Sequence, residues 1–209
     1  MKFYSKMVAV SLFAYAGMLF AEAPVGVTIT TVNAAGTGCP AGSAYVSISP
    51  DRQVFTAIFD RFQAVIDPGN PQVSYADRYK RCDLNVKVHV PQGWQFSVFK
   101  ADYEGWYDMQ AGMSMTQTST YHFQGNARHS KVSVVNAPAP KSGNFLFTDN
   151  IGVSSYEWSA CGGPRDLFVT SEIRLSSNNP RAHGAAGIDA IEGQFQLKAY
   201  FGILWRQCR

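Results

Sequence analysis

In Leu84-Asn85-Val86-Lys87-Val88-His89-Val90 every second residue is apolar, a period that puts the branched side chains on one face of an extended strand. The same two-residue period returns in Val25–Val32, Ala44–Ile48, Phe96–Phe99, Asn144–Phe147, Phe168–Leu175 and Phe195–Tyr200, all rich in β-branched and aromatic residues. Breakers separate these runs: Asp67-Pro68-Gly69-Asn70-Pro71, Pro91-Gln92-Gly93, Pro138-Ala139-Pro140 and Ser176-Ser177-Asn178-Asn179-Pro180. Short half-buried strands between turns predict an all-β fold, a two-sheet antiparallel β-sandwich. The one stretch with helical spacing, Val54 to Ile66, carries aromatic and β-branched residues that favour a strand with a bulge. Ala137 to Ser142 is expected to be the most flexible internal connection.

Four cysteines staple this expected sandwich: Cys39, Cys82, Cys161 and Cys208. None has the short spacing of a zinc site, and an even count in an exported chain reads as two disulfides. Three connectivities are possible. Sequential pairing, Cys39 with Cys82 and Cys161 with Cys208, closes the shorter loops and is the pairing expected.

Export is suggested by the N-terminus. Lys2 and Lys6 flank a short positive region, Met7 to Phe20 is uncharged and apolar, and Ala21-Glu22-Ala23 supplies small residues for cleavage. The apolar run is too short to cross a bilayer. Pro24 disfavours cleavage after Ala23, so residues 1–21 are read as a secretory signal and residues 22–209 as a single domain. With 46% hydrophobic and 16% charged residues, a 209-residue chain has enough apolar material for one core. The net charge of +3 is small and its cations are scattered, which argues against a nucleic-acid partner. No membrane anchor is expected, and a monomer is.

The order of motifs is specific enough to carry a resemblance. Gly36-Thr37-Gly38-Cys39-Pro40-Ala41-Gly42, Val46 to Asp51, and Arg81 to Trp94 with its strand and Pro91-Gln92-Gly93-Trp94 turn come first. Ala101-Asp102-Tyr103-Glu104-Gly105, Tyr121-His122-Phe123-Gln124-Gly125, Trp158-Ser159-Ala160-Cys161-Gly162 and Trp205-Arg206-Gln207-Cys208 follow. Together they resemble the secreted domain-of-unknown-function family numbered 4360, small exported proteins of filamentous fungi and some bacteria. The resemblance implies four paired half-cystines and a β-rich fold. It implies no activity and supplies no catalytic residue. The chain departs from the usual look of that family in Asp102 to Asp108, which is more acidic and more aromatic.

The candidate chemistry is sparse. No Gly-x-Ser-x-Gly elbow occurs, and paired cysteines offer no thiolate nucleophile. His89 and His122 fall on polar faces of strands, no metal-ligand spacing exists, and no cofactor is expected. Asp102 and Glu104 lie two apart on a strand, with stems about 7 Å apart on one face, a separation that suits an acid and base pair on a glycoside. The aromatic set Trp94, Tyr103, Trp106, Tyr107, Tyr121 and Phe123 offers flat rings that either fill the core or stack on sugar faces. Adjacent Trp106 and Tyr107 cannot both point inward. Asp102, Tyr103, Glu104, Trp106 and Tyr107 are therefore the candidate ligand-binding residues. The expected function is a secreted, non-enzymatic surface-binding protein, its partner a wall carbohydrate or an extracellular macromolecule met in the manner of an effector. The alternatives are an extracellular polysaccharide hydrolase using Asp102 and Glu104, and a purely structural wall protein.

Overall fold

The computed structural model describes residues 23–125, 131–151, 157–188 and 198–208, so the leader-like residues 1–21 lie outside the described residues. Twelve described strands form two sheets. They are β1 (Thr28–Ala35), β2 (Ala44–Ile48), β3 (Val54–Phe59), β4 (Gln63–Ile66), β5 (Tyr79–Val90), β6 (Trp94–Met109), β7 (Met113–Phe123), β8 (Lys131–Pro138), β9 (Lys141–Asn150), β10 (Gly163–Ser177), β11 (Gly184–Gly187) and β12 (Lys198–Gln207). Among the described residues one 3-10 turn, Tyr75–Arg78, precedes β5. One sheet has the order β1-β5-β10-β7-β8; the other runs β2-β3-β12-β6-β11-β4, with β9 on the free edge of β6. Every pairing is antiparallel. The expected sandwich is the observed one.

The alternation in β5 does what its period requires. Cys82, Leu84, Val86, Val88 and Val90 are buried, and the residues between them face solvent. Leu167, Val169, Ile173 and Leu175 of β10 extend that layer, and Phe55, Ala57, Phe96, Val98, Phe201, Ile203 and Trp205 meet it from the other sheet. Phe96 sits at the hub, edge-on to Phe55 at 6.0 Å and to Phe123 at 5.0 Å, with the Trp205 ring at 5.4 Å. Such contacts add about 0.5–1.5 kcal/mol each beyond burial. The Trp205 indole N–H donates to the Arg52 carbonyl at 2.9 Å, which satisfies its polar edge.

Both disulfides join the cysteines paired in sequence, Cys39–Cys82 and Cys161–Cys208. The first ties the β1–β2 connection to the inner face of β5. The second ties the residue two before β10 to the residue after β12, and so links the two sheets.

Two local expectations need correction. Val54 to Ile66 is strand with an interruption wider than a bulge: β3 and β4 run in the same direction beside β12 and β11, which follow one another along β6, and Asp60 to Phe62 leave the ladder between them, with Phe62 fully buried against Phe59 at 5.4 Å. Ala137 to Ser142 is mostly strand as well. β8 and β9 run into it from either side, and the Ala139 N–H donates to the Met113 carbonyl at 3.1 Å.

Gly105 shows how closely β6, β9 and β11 approach. A methyl group at this position would meet the Phe145 ring and the Gly187 carbonyl oxygen. Gly105→Ala is therefore expected to destabilise the fold by about 1–3 kcal/mol, the usual cost of overpacking. A urea titration checks this; an unchanged midpoint would show that the neighbours yield freely.

Candidate functional site

Pleating sorts the β6 residues onto two faces. Ala101, Tyr103, Gly105, Tyr107 and Met109 turn toward the other sheet; Asp102, Glu104, Trp106 and Asp108 turn away from it. The sequence-predicted group is thus divided. Tyr103 is 1% exposed and belongs to the core. Tyr107 is half-buried at the core margin, stacked on Phe145 at 5.4 Å, with Lys141 Nζ 5.6 Å from its ring centre. Trp106 is on the outer face but only 8% exposed, and its indole N–H is enclosed without an acceptor among the described residues. Asp102 and Glu104 share the outer face, as their spacing predicts.

What joins those two carboxylates is supplied by strand register. Tyr45 opposes Ile58, Tyr200 opposes both Thr56 and Asp102, Thr148 opposes Asp102, and Leu146 opposes Glu104. Directly opposed residues share a face, so Tyr45, Ser47, Thr56, Ile58, Tyr200, Asp102, Glu104, Leu146 and Thr148 form one surface across β2, β3, β12, β6 and β9. At about 4.8 Å per strand, it extends roughly 19 Å from Tyr45 to Leu146. Tyr45 is 58% and Leu146 60% exposed. Sequence reading missed Tyr45 and Tyr200, although each sits in a recognised strand; only the long-range register brings them beside the acids.

The electrostatics of this face are settled locally. Lys100 Nζ lies 2.7 Å from Asp102 Oδ2, and the Thr148 hydroxyl donates to Asp102 Oδ1 at 2.6 Å. Both carboxylate oxygens are thus engaged, which holds the group as a fixed acceptor. Partial burial, followed by the nearby Glu104 charge, raises the Tyr200 phenol above its ordinary value, so it remains a neutral O–H donor through the physiological range. The phenyl ring of Phe99 lies over Gly202 on the same side, where no other residue would leave it room. Among the described residues no group of three or more His, Cys, Asp or Glu is placed to hold a metal ion, and no helix is long and apolar enough to cross a membrane.

A second polar cluster lies inside the sandwich. The Tyr121 hydroxyl donates to Asp149 Oδ2 at 2.7 Å, and the Tyr103 and Tyr121 hydroxyls are 2.6 Å apart. With the Tyr121 proton committed to Asp149, Tyr103 is the donor to Tyr121. Ser171 reaches the Tyr103 oxygen at 3.5 Å. Burial pushes the Tyr103 phenol up to about 12. Burial, with Tyr103 and Asp149 as neighbours, raises Tyr121 well above the ordinary value. This chain cross-links β6, β7, β9 and β10 through the core, with its members between 1% and 7% exposed.

Fold and surface together define a disulfide-stapled β-sandwich that displays aromatic rings, hydroxyls and two carboxylates, one of them fixed by Lys100 and Thr148, on the open face of its larger sheet. The chain belongs to the family described as Domain of unknown function (DUF4360), whose model matches residues 25–208. An uncharacterized secreted protein of Arthroderma benhamiae is 36% identical over 185 residues, 88% of this chain and 73% of that protein. Among solved structures, TmCBM61 in complex with β-1,4-galactotriose aligns over 86% of this chain and 90% of its own, at 10% identity and a TM-score of 0.28. The CBM22-1 and GH10 modules of a Clostridium thermocellum xylanase, complexed with xylohexaose, align over 80% of this chain and 26% of theirs, at 6% identity and a TM-score of 0.24. Superpositions at these scores do not establish a common fold.

Proposed function

We propose that this chain is an exported, non-enzymatic binding domain whose larger sheet takes a wall carbohydrate on its outer face. Export is supported by the leader-like residues 1–21, by the pairing of all four cysteines and by the secreted relative. The observation that carries the ligand class is the shared surface of Tyr45, Tyr200, Asp102, Glu104 and Thr148. Phenol rings offer flat apolar area to the C–H faces of a sugar, while the carboxylates and hydroxyls receive its O–H groups. Lys100 and Thr148 hold the Asp102 carboxylate in one orientation, as an acceptor for a sugar hydroxyl.

Retention of the purified domain on insoluble chitin and β-glucan tests the reading. Tyr45→Ala and Tyr200→Ala are each expected to weaken retention roughly ten-fold, the size of effect expected when a contact ring is truncated. Tyr107→Ala, altered at the core margin, should lower stability while leaving retention of the folded fraction unchanged. If the unmodified domain is not retained on either polymer, the carbohydrate reading is lost.

A further inference from the structure

At one end of the sandwich β4 of the larger sheet, β10 of the smaller sheet and the 3-10 turn Tyr75–Arg78 come together around a cleft of about 340 Å³. It lies away from the outer-face surface described above, and nothing in the proposed carbohydrate reading uses it. Its walls include the flat sides of Pro68 and Pro180, the ring of Tyr75, and the polar groups of Ser74, Ser177 and Asn179. Tyr75 is 78% exposed, an unusual position for a large ring.

Arg78 is the residue that sets the chemistry of this cleft. Its guanidinium carbon is 3.8 Å from the centre of the Tyr75 ring, so the planar cation is already stacked and oriented. It makes no ion pair among the described residues, and its Nε–H is buried without an acceptor. The neighbouring acids are otherwise engaged. Asp77 takes Lys80 Nζ at 2.8 Å together with the Ser74 N–H and hydroxyl, and Asp67 accepts the Gly69 N–H at 3.1 Å. A partly desolvated guanidinium without an ion pair among the described residues is poorly compensated until an anion arrives.

We infer that this cleft binds the carboxylate of an acidic sugar, a hexuronate residue, with Arg78 as its counter-ion and Tyr75 as the plate that holds Arg78 in place. Three features select that ligand. The planar fork of Arg78 matches a carboxylate with two parallel donors. The proline and tyrosine faces suit the C–H side of a sugar ring; the Ser74 and Ser177 hydroxyls, whose protons go to Asp77 and the Asn179 carbonyl, can still accept from its hydroxyls. Asp67 in the cleft wall repels a dianionic phosphate more strongly than a monoanionic carboxylate and can accept from a ring hydroxyl.

Calorimetric titration of the domain with trigalacturonate, and with the neutral trimer obtained by reducing its carboxyl groups, tests this assignment. The acidic trimer is expected to bind at least ten-fold more tightly than the reduced one, with affinity falling as salt rises. Arg78→Gln should remove that preference, and Arg78→Lys should lose most of it because an ammonium lacks the planar fork. Melting temperatures identify any variant that fails to fold, in which case Tyr75→Ala, which leaves the cation but removes its plate, gives the same reading. Tyr45→Ala and Tyr200→Ala should leave acidic-trimer binding intact, so failure of the cleft and failure of the outer face are separable. Equal affinity for the two trimers, an unaffected Arg78→Gln, or tighter binding of triglycine through its terminal carboxylate would each overturn the assignment.

Discussion

Reducing both disulfides is expected to lower the unfolding free energy by about 8 kcal/mol, about 4 kcal/mol for each, on the chain-entropy account of cross-links. The two bridges close separate loops, between residues 39 and 82 and between residues 161 and 208, with separations of 43 and 47 residues. Because the loops do not overlap, the contributions should add. A loss of that size equals or exceeds the net stability of many domains, so the reduced chain should be largely unfolded at ambient temperature. The two bonds should not yield together. Cys39 and Cys82 are 0% and 1% exposed, whereas Cys161 lies at the surface. Mild reductant acting on the folded protein should therefore open Cys161–Cys208 first and leave Cys39–Cys82 until the domain unfolds. Mass spectrometry after alkylation, alongside guanidinium denaturation of each partly reduced form, gives both results. If Cys39–Cys82 opens first, or if the fully reduced chain keeps its denaturation midpoint, burial and loop closure are the wrong account of these bonds.

The same comparison of covered and exposed positions explains which parts of the molecule could be read from sequence. β5 announces itself because its inner positions, Cys82 through Val90, are all apolar and its outer positions all polar. β7 has an equally regular alternation of buried and half-buried residues, yet two of its inner positions are Gln117 and Ser119, each 2% exposed. Polar residues at core positions erase the period on which the reading depends. β11, Gly184-Ala185-Ala186-Gly187, has no β-preferring residue at all. It is a strand because small residues alone let it lie between β6 and β4.

The site was legible in a different proportion. The shared face of Asp102 and Glu104 follows from period two within one strand and needed no partner. The rings that flank them come from β2 and β12, more than fifty residues before and nearly a hundred after, through pairings that no local pattern encodes. Trp106 and Tyr107 do take opposite faces, as adjacency demands, but neither is open: one is covered on the outer face and the other is stacked at the core margin. Arg78 gave no local signal, since a cation closing a turn two residues before Lys80-Arg81 acquires its distinct meaning only from the cleft around it. Local chemistry was therefore visible in the sequence, and its assembly across strands was not.

Alkaline pH should destabilise the domain through the tyrosines in its core. Tyr103 and Tyr121 are buried and uncharged, and burial raises both phenols, Tyr103 to about 12. An unfolded tyrosine ionises near pH 10. Because the folded values lie above the unfolded one, the stabilisation is complete below about pH 10 and is lost as pH rises toward the folded values. Tyr103 alone should cost about 2 kcal/mol between pH 10 and pH 12, since half of each titration falls outside that window, and Tyr121 acts in the same direction. Disulfide exchange is slow to start here, since no free cysteine is available to provide a thiolate. The Tyr121 hydroxyl also donates to the buried Asp149 carboxylate, and a hydrogen bond to a charged group contributes about 1.5–3 kcal/mol. Tyr121→Phe should thus be less stable than the parent at pH 7 by that amount, while losing less than the parent as pH rises from 10 to 12. Urea unfolding across this range, paired with the absorbance of tyrosinate, measures both slopes. Two phenols should ionise only as the domain unfolds, and a protein that ionised all its tyrosines near pH 10 with its fold intact would show that the hydroxyl chain from Tyr103 to Asp149 is open to water.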